Sequence, residues 1–399
     1  MKIAIFSDNF YPELSGIADS IISLAKELVR HENTIDFFVP YYTNKNYADA
    51  NVPVKEIDLE NSVTVTHLPS ISYPSPTLQG RLAFWNKSII KIIKDKDPEI
   101  IHTQLFFGVG LLALKASRLF KKPIVGTNHT AITEFARYWV FGPAFLSWIL
   151  MKYVVWYYNK CDFVTAPSQS VFDEMIKYGF KKPHMVVSNP IEVGEFSPVP
   201  SLERYQELKT NFGLIGPTIV YAGRIAEEKN IEVIIKAMAI VVKTIPDAQF
   251  AIAGHGMYQK KLEELIKSLG IVSSVKFMGF LSKQRLIELY KASDIFAVAS
   301  TSETQNMNMM QAMATALPIV GVRARALPEY LGHGNGFVVE PGDSSAFAEK
   351  LIILLKDTGM RKNMGLKGLE LVQSFSPEKI ARIWQEIYQK TILGYNKAI

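Results

Sequence analysis

The sequence is poorest in cysteine. One residue, Cys161, stands in 399, which excludes an internal disulfide and any metal cluster built on cysteines and fits a reducing compartment. Long apolar runs are also scarce. The start, MKIAIFSDNF, has a five-residue apolar run cut by Asp8, too short for the core of a signal peptide, so it reads as a first strand and the cell interior is the expected location. The stretch nearest the length of a membrane span is WVFGPAFLSWILMKYVVWYY, residues 139–158, and Gly142, Pro143 and Lys152 argue against a span. Low-complexity and repeated tracts are missing, and 48% hydrophobic with 21% charged residues describes a folded chain and excludes a disordered one. At this length two domains can each bury a core.

Charge is unevenly placed. The net charge is +6, yet residues 81–160 hold twelve lysines and arginines against four acidic residues, so the rest of the chain is slightly acidic. The same segment carries Trp85, Trp139, Trp148 and Trp156. Basic charge with interfacial aromatics points to an anionic membrane surface rather than to nucleic acid. In NKSIIKIIKDK, Lys87, Lys91 and Lys94 fall on one helical face and Ile89, Ile90 and Ile93 on the other, giving a basic amphipathic helix that either lies on lipid or packs its isoleucines on a sheet. Residues 139–158 read as a helix of the first domain, its surplus aromatics lining a greasy groove, dipping into lipid or packing in the core.

Short apolar runs alternate with helical patterns: KIAIF, TIDFFVP, EIIHT, PIVGT, DFVTA and MVVSN, then a second series, TIVYAG, AQFAIAG, SVKFMGF, DIFAVAS and LPIVGV, with helices at 229–245 and 257–269. Such strands need cover on both faces, so each series predicts a doubly wound parallel sheet. NPIEVGEFSPVPSLE, with Pro190, Gly194, Pro198 and Pro200, is the linker. Expected boundaries are 1–195, an acceptor- and membrane-facing Rossmann-like domain; 196–375, a nucleotide-sugar-binding one; and 376–399, a last helix crossing back to the first. Helices are expected at 344–356, 358–373 and 376–394. The fold class is α/β, two doubly wound parallel-sheet domains facing a cleft, with ligands at the carboxyl ends of the strands.

Loops after strands hold the candidate chemistry. In SETQNMNMMQAM, Glu303 sits at the mouth of a helix stopped by Leu317-Pro318, where free amides and the helix dipole suit a diphosphate, and Gln311 points from two turns in toward a ribose. A plain helix start with a favourable acid is the alternative. In GRIAEEKN, Gly223 allows close approach while Arg224 and Lys229 supply two cations for two phosphoryl groups, or are solvated surface. AGHG places Gly254 and Gly256 after the next strand. Asp95 and Asp97 in KDKD are an Asp-x-Asp that a metal-dependent enzyme could use, or a solvated turn. His102 after EII is either cleft-facing or structural, and Asp19 either acceptor-side or a capping residue.

In order, GRIAEEKN, AGHG, MGFLSKQRLIELYKASDIFAVAS, SETQ with QAMATALPIV, and PEYL with GNGFVVEPGD resemble the retaining nucleotide-sugar glycosyltransferases of the GT-B fold. That family includes sucrose synthases, phosphatidylinositol mannosyltransferases and diacylglycerol glucosyltransferases; SETQ is similar to the last branch. YPELSGIADSIISLAKEL, PIVGTNHT, FVTAPSQS and NPIEVGEFSP match its amino-terminal blocks. The resemblance implies that Arg224, Lys229 and Gly16 hold the donor diphosphate, that Gly254, Asn306 and Met307 belong to the donor site, that Glu303 binds donor-sugar hydroxyls, and that His129 lies beside the anomeric centre. It implies no metal and no cofactor beyond the donor. Gln311 stands where the family has Glu, which predicts weaker donor binding by ~1–2 kcal/mol; Asn306 stands where it has Gly, at a turn that asparagine tolerates. The expected function is transfer of a hexose from a UDP- or GDP-sugar to a membrane lipid such as diacylglycerol, with retention, by a protein peripherally bound through residues 81–160 at the inner face of the cell membrane. Transfer to a soluble sugar or glycan, and a catalytically impaired nucleotide-sugar or lipid-binding protein, are the alternatives.

Overall fold

In the computed structural model of the chain, residues 1–13, 15–49, 54, 57, 59, 61–73, 80–130 and 143–398 are described. Trp139 and Gly142 lie outside them. The chain divides into two units, Met1–Pro190 with Pro377–Ile399, and Ile191–Ser376.

Among the described residues of the first unit, the strands are β1 (Lys2–Phe6), β2 (Thr34–Pro40), β3 (Val63–Leu68), β4 (Ser70–Ser72), β5 (Arg81–Ala83), β6 (Ile100–Thr103), β7 (Ile124–Thr127), β8 (Phe163–Ala166) and β9 (His184–Val186). Seven form one parallel sheet in the order β3-β2-β1-β6-β7-β8-β9, while β4 and β5 make a separate antiparallel pair. The central strands are apolar throughout because helices cover both faces; β1 buries Ile3, Ala4, Ile5 and Phe6 completely. Helix Gly16–Arg30 starts at Ser15, whose hydroxyl accepts the Ala18 N–H, and turns Ile21, Leu24, Ala25 and Leu28 inward. The last helix, Pro377–Ala398, packs on it, and inserts Trp384 and Tyr388 against His102 of β6.

The second unit repeats the plan with β10 (Thr218–Ala222), β11 (Gln249–Ala253), β12 (Val275–Gly279), β13 (Ile295–Val298), β14 (Ile319–Val322) and β15 (Gly336–Val339). They are all parallel, in the order β12-β11-β10-β13-β14-β15. Reversal of strand order beside β10 places the loops after β10 and β13 next to each other, the arrangement in which open α/β sheets take ligands.

Helix Lys87–Lys96 forms where the sequence places it, with Lys87, Lys91 and Lys94 exposed. Its isoleucines are used by the core: Ile89 and Ile93 are buried, and Ile90 packs partly buried against the same cluster. The apolar half of this helix is therefore closed to lipid. Helix Pro143–Tyr158 behaves differently. Met151, Val154, Val155, Tyr157 and Tyr158 are buried, but Phe145, Trp148, Ile149 and Trp156 are 70%, 49%, 41% and 46% exposed. With Lys152, whose ammonium lies over the Trp148 ring, these residues form one outward stripe at helical spacing. Trp156 continues into a shallow groove with Leu111, Leu114, Lys115, Arg118 and Leu119. No described helix is long and apolar enough to cross a membrane.

Trp384→Ala removes a nearly fully buried ring from the first unit and is expected to cost about 3–5 kcal/mol. Hydrogen exchange should show faster opening of amides in residues 1–190 with those of 191–376 unchanged; uniform loss across both would contradict the division into units.

Candidate functional site

The loops after β10, β11 and β13 come together in the second unit. Gly223 has φ of +145° and Gly254 φ of +142°, and a Cβ on Gly254 would lie 1.8 Å from the Gly223 carbonyl oxygen. These glycines let two loops touch: Gly223 N–H donates to Ala253 O and Ile225 N–H to His255 O. The absence of a side chain at Gly254 is thus fully accounted for by loop packing. Asn230, itself in the left-handed region, donates from Nδ2 to Glu228 O, Ala299 O and Thr301 Oγ1, each at 3.3 Å, and so straps the loop after β10 to the loop after β13.

Both cations of this region have an internal anion. Lys229 Nζ lies 2.7 Å from Glu303 Oε1, and Arg224 Nη2 2.5 Å from Glu228 Oε1. Burial opposes the charge on Glu303, but Lys229 and hydrogen bonds from Ser300 and Asn306 outweigh it and hold the carboxyl below its usual pKa. It is ionised at neutral pH. Helix Met307–Ala314 begins beside it. Asn306 caps that helix in ordinary extended geometry, φ −83° and ψ 99°, with Oδ1 accepting the Met309 N–H at 2.8 Å. The turn therefore needs no unusual backbone from asparagine, and one amide of the helix mouth is taken by the cap. Met307 opens the helix, partly exposed, and the Asn308 side chain lies near Gly223. Gln311 is half-buried, and its Oε1 is buried with no hydrogen-bond partner in the described protein. An acceptor left bare in this way is costly unless a ligand or water donates to it.

Thus Arg224, Lys229, Gly254, Glu303, Asn306, Met307 and Gln311 fall within one set of neighbouring loops and one helix start. Gly16 and His129 belong to the first unit. Gly16 is the exposed first residue of its helix. His129 follows β7, and its Nε2 lies 2.7 Å from Gln104 Oε1, just past β6. His129 is pushed down to about 4 by burial, and His102 to about 3 by burial and the neighbouring His129, so both are neutral. His102 is structural: its ring nitrogens meet Tyr388 OH and Thr127 Oγ1, each at 2.7 Å. Asp97 ends its helix in the left-handed region and pairs with Lys122, while Asp95 is exposed. Asp19 is exposed in the first helical turn.

Sequence reading passed over several contributors. Glu228, four residues after Arg224, was readable from helical spacing. Asn230 and Gln104 carried no local signal. Neither did Asp8, whose Oδ1 accepts the Val109 N–H at 2.9 Å at the mouth of helix Gly108–Phe120, whose Oδ2 is buried without a hydrogen bond, and whose pKa burial raises to about 6.

The family model Glycosyl transferases group 1 matches residues 209–370, and the model Glycosyltransferase Family 4 matches residues 14–195. The chain is 30% identical over 343 residues to the alpha-monoglucosyldiacylglycerol synthase of Streptococcus pneumoniae, covering 85% of this chain and 72% of that protein. It is also 30% identical over 383 residues to a GDP-mannose-dependent monoacylated alpha-(1-6)-phosphatidylinositol monomannoside mannosyltransferase of Corynebacterium glutamicum, covering 94% and 93%. Among solved structures, Anabaena HepE in complex with UDP superposes with a TM-score of 0.74 at 20% identity over 98% of this chain and all of that one; at that identity the likeness concerns the fold, GT-B.

The Lys229–Glu303 pair generates a test. With the lysine present, the depressed pKa of Glu303 contributes stability above the ordinary carboxylate pKa that is lost as pH falls. Without it, only the Ser300 and Asn306 hydrogen bonds oppose burial, so the pKa rises from its depressed value and the stability present above the ordinary carboxylate pKa shrinks. Lys229→Met should cost about 3–5 kcal/mol at neutral pH and progressively less toward pH 4, and adding Glu303→Gln should recover most of the loss. Denaturant unfolding across pH 4–8 reads this; a pH-independent cost for the single variant would show that the pair is not what holds the charge.

Proposed function

The chain belongs to the group 1 glycosyl transferases with a family 4 amino-terminal half, and from that premise we propose that it moves a hexose from a nucleotide diphosphate sugar to a membrane lipid such as diacylglycerol, with retention of configuration and without a metal. The observation that carries the reading is the convergence of Arg224, Lys229, Glu303 and the start of helix Met307–Ala314, with the bare Gln311 oxygen, in one loop cluster. As the bond from the anomeric carbon to the diphosphate breaks, negative charge grows on the leaving group. Arg224, Lys229 and helix amides are preorganised to meet it. The bond to the acceptor oxygen forms on the same face, and the acceptor's proton passes to the departing phosphate. Glu303 meets sugar hydroxyls, Gln311 Oε1 takes one ribose hydroxyl, Gly16, Gly254, Asn306 and Met307 contribute backbone to the donor site, and His129 contacts the transferred sugar.

The lipid acceptor is supported by the two curated relatives, whose names are those of glycolipid enzymes. A UDP- or GDP-sugar donor accords with the UDP complex of HepE and with the GDP-mannose dependence in the Corynebacterium relative's name. For the membrane, support comes from the outward Phe145, Trp148, Ile149 and Trp156 beside Lys115, Arg118 and Lys152, an apolar stripe with basic flanks of the kind that settles on an anionic bilayer. We assign peripheral attachment at the cytoplasmic face to this stripe, with the exposed lysines of helix Lys87–Lys96 adding charge.

Free nucleoside diphosphate released from a panel of nucleotide sugars, in chelator, with and without vesicles of diacylglycerol and an anionic lipid, tests the reading. Vesicle-dependent release with a glycolipid product of unchanged anomeric configuration is expected. Release to soluble sugars alone would move the acceptor into water; binding without release would make the protein a binding module. Gln311→Glu should tighten donor binding by about 5- to 30-fold, equivalent to ~1–2 kcal/mol, and an unchanged affinity would remove Gln311 from the ribose. Trp148→Ser with Trp156→Ser should weaken vesicle binding at least tenfold, or about 1.4 kcal/mol, while leaving donor binding intact.

A further inference from the structure

The two ion pairs of the loop cluster differ in how firmly they are built in. The Lys229 and Glu303 side chains are 17% and 10% exposed, and the Glu303 carboxyl also takes hydrogen bonds from Ser300 and Asn306, so that pair is confined at both ends. In the other pair only the anion is confined. The Glu228 side chain is 9% exposed, and the carbonyl oxygen of the same residue accepts Asn230 Nδ2 at 3.3 Å and the Thr301 N–H at 3.5 Å. The Arg224 carbonyl oxygen is held by Tyr221 OH at 2.9 Å, but the Arg224 side chain is 36% exposed. Among the described residues its guanidinium is hydrogen-bonded to Glu228 alone, through Nη2 at 2.5 Å. A long side chain with one anchor is an arm, and the buried carboxylate is the post to which it returns, because a buried anion without its cation is costly.

Product chemistry gives that return a use. When the bond from the anomeric carbon to the diphosphate breaks, the bonding pair stays on the phosphate oxygen. The proton that this oxygen takes from the acceptor passes on to water at neutral pH, because a terminal phosphate has a second pKa of about 6, so the product carries roughly one more negative charge than the donor. Cations placed to meet the leaving group therefore hold the product harder than the substrate. Release requires that a cation be taken back. We propose that Glu228 is the positioning residue for product release: acting through Arg224, which it recaptures after each transfer in competition with the diphosphate, it limits inhibition by the product. The inference rests on the donor-diphosphate reading of Arg224 and is independent of the acceptor.

Calorimetry and stopped-flow binding of UDP and GDP to the full chain read this without turnover, so failure of transfer to every lipid would leave the test standing. Glu228→Gln, equal in size and uncharged, should tighten binding of the nucleotide that the unsubstituted protein takes by about 5- to 10-fold, almost all of it as slower dissociation. The matching nucleotide sugar, which lacks the added charge, should gain less. In an Arg224→Gln background there is no arm to recapture, so adding Glu228→Gln should change affinity by less than about twofold; a general effect of removing the charge would be the same in both backgrounds. Glu228→Asp draws the carboxylate back from the guanidinium and should shift binding in the same direction by a smaller factor, which carries the test if the glutamine variant is unstable. Weaker binding in Glu228→Gln is the result expected if Glu228 instead aimed Arg224 at phosphate. That result, unchanged binding, an equal gain in the Arg224→Gln background, an equal gain for the nucleotide sugar, or no binding of either nucleotide to the unsubstituted protein would overturn the proposal.

Discussion

Parallel pairing is the constraint from which the rest follows. When every strand of a sheet runs in one direction, all carboxyl ends share an edge and every return crosses a covering helix. The loops at that edge are where the candidate site gathers its polar side chains. In the second unit Arg224, Lys229, Glu303 and the cap of helix Met307–Ala314 meet there; in the first, Gln104 and His129 stand at the ends of adjacent strands β6 and β7.

Charge at these edges is balanced in pairs. Lys229 answers Glu303 and Arg224 answers Glu228, so each of these two cations already has an anion before a ligand arrives. A diphosphate entering it must draw the cations partly away from their carboxylates, and carboxylates freed in that exchange gain acceptor capacity for hydroxyl groups. Holding a cation near an anion also keeps a flexible lysine in place. The neutral imidazoles of the first unit are ordered by a different means, contacts with the neutral partners Gln104, Tyr388 and Thr127.

Much of the architecture was legible because buried parallel strands are unbroken apolar runs; KIAIF, TIVYAG and DIFAVAS announce themselves. Strand β3, VTVTHL, alternates and sits half-exposed at an edge, and the short pair β4 and β5 has little apolar content, so neither stood out. Glycine, arginine, lysine and glutamate of the donor loops were readable as types at a strand-to-helix turn, but their pairing was not, since Lys229 and Glu303 are 74 residues apart. Isoleucines 89, 90 and 93 illustrate a true ambiguity: a helix lying on a sheet and one lying on lipid obey the same period, and only burial tells them apart. The outward aromatics of helix Pro143–Tyr158 were hidden in the opposite way, because a helix apolar all round does not say which side is covered.

The return of the last helix has a consequence for how the protein is made. Residues 191–376 form an uninterrupted unit that takes no residue from the chain after Ser376. The first 190 residues, though synthesised earlier, must wait with an open apolar trough where Ile380, Trp384, Ile387 and Tyr388 will lie. Unit order in the chain and order of completion are thus reversed. A chain that stops at Ser376 keeps every residue of the second unit and leaves the first with an open apolar trough.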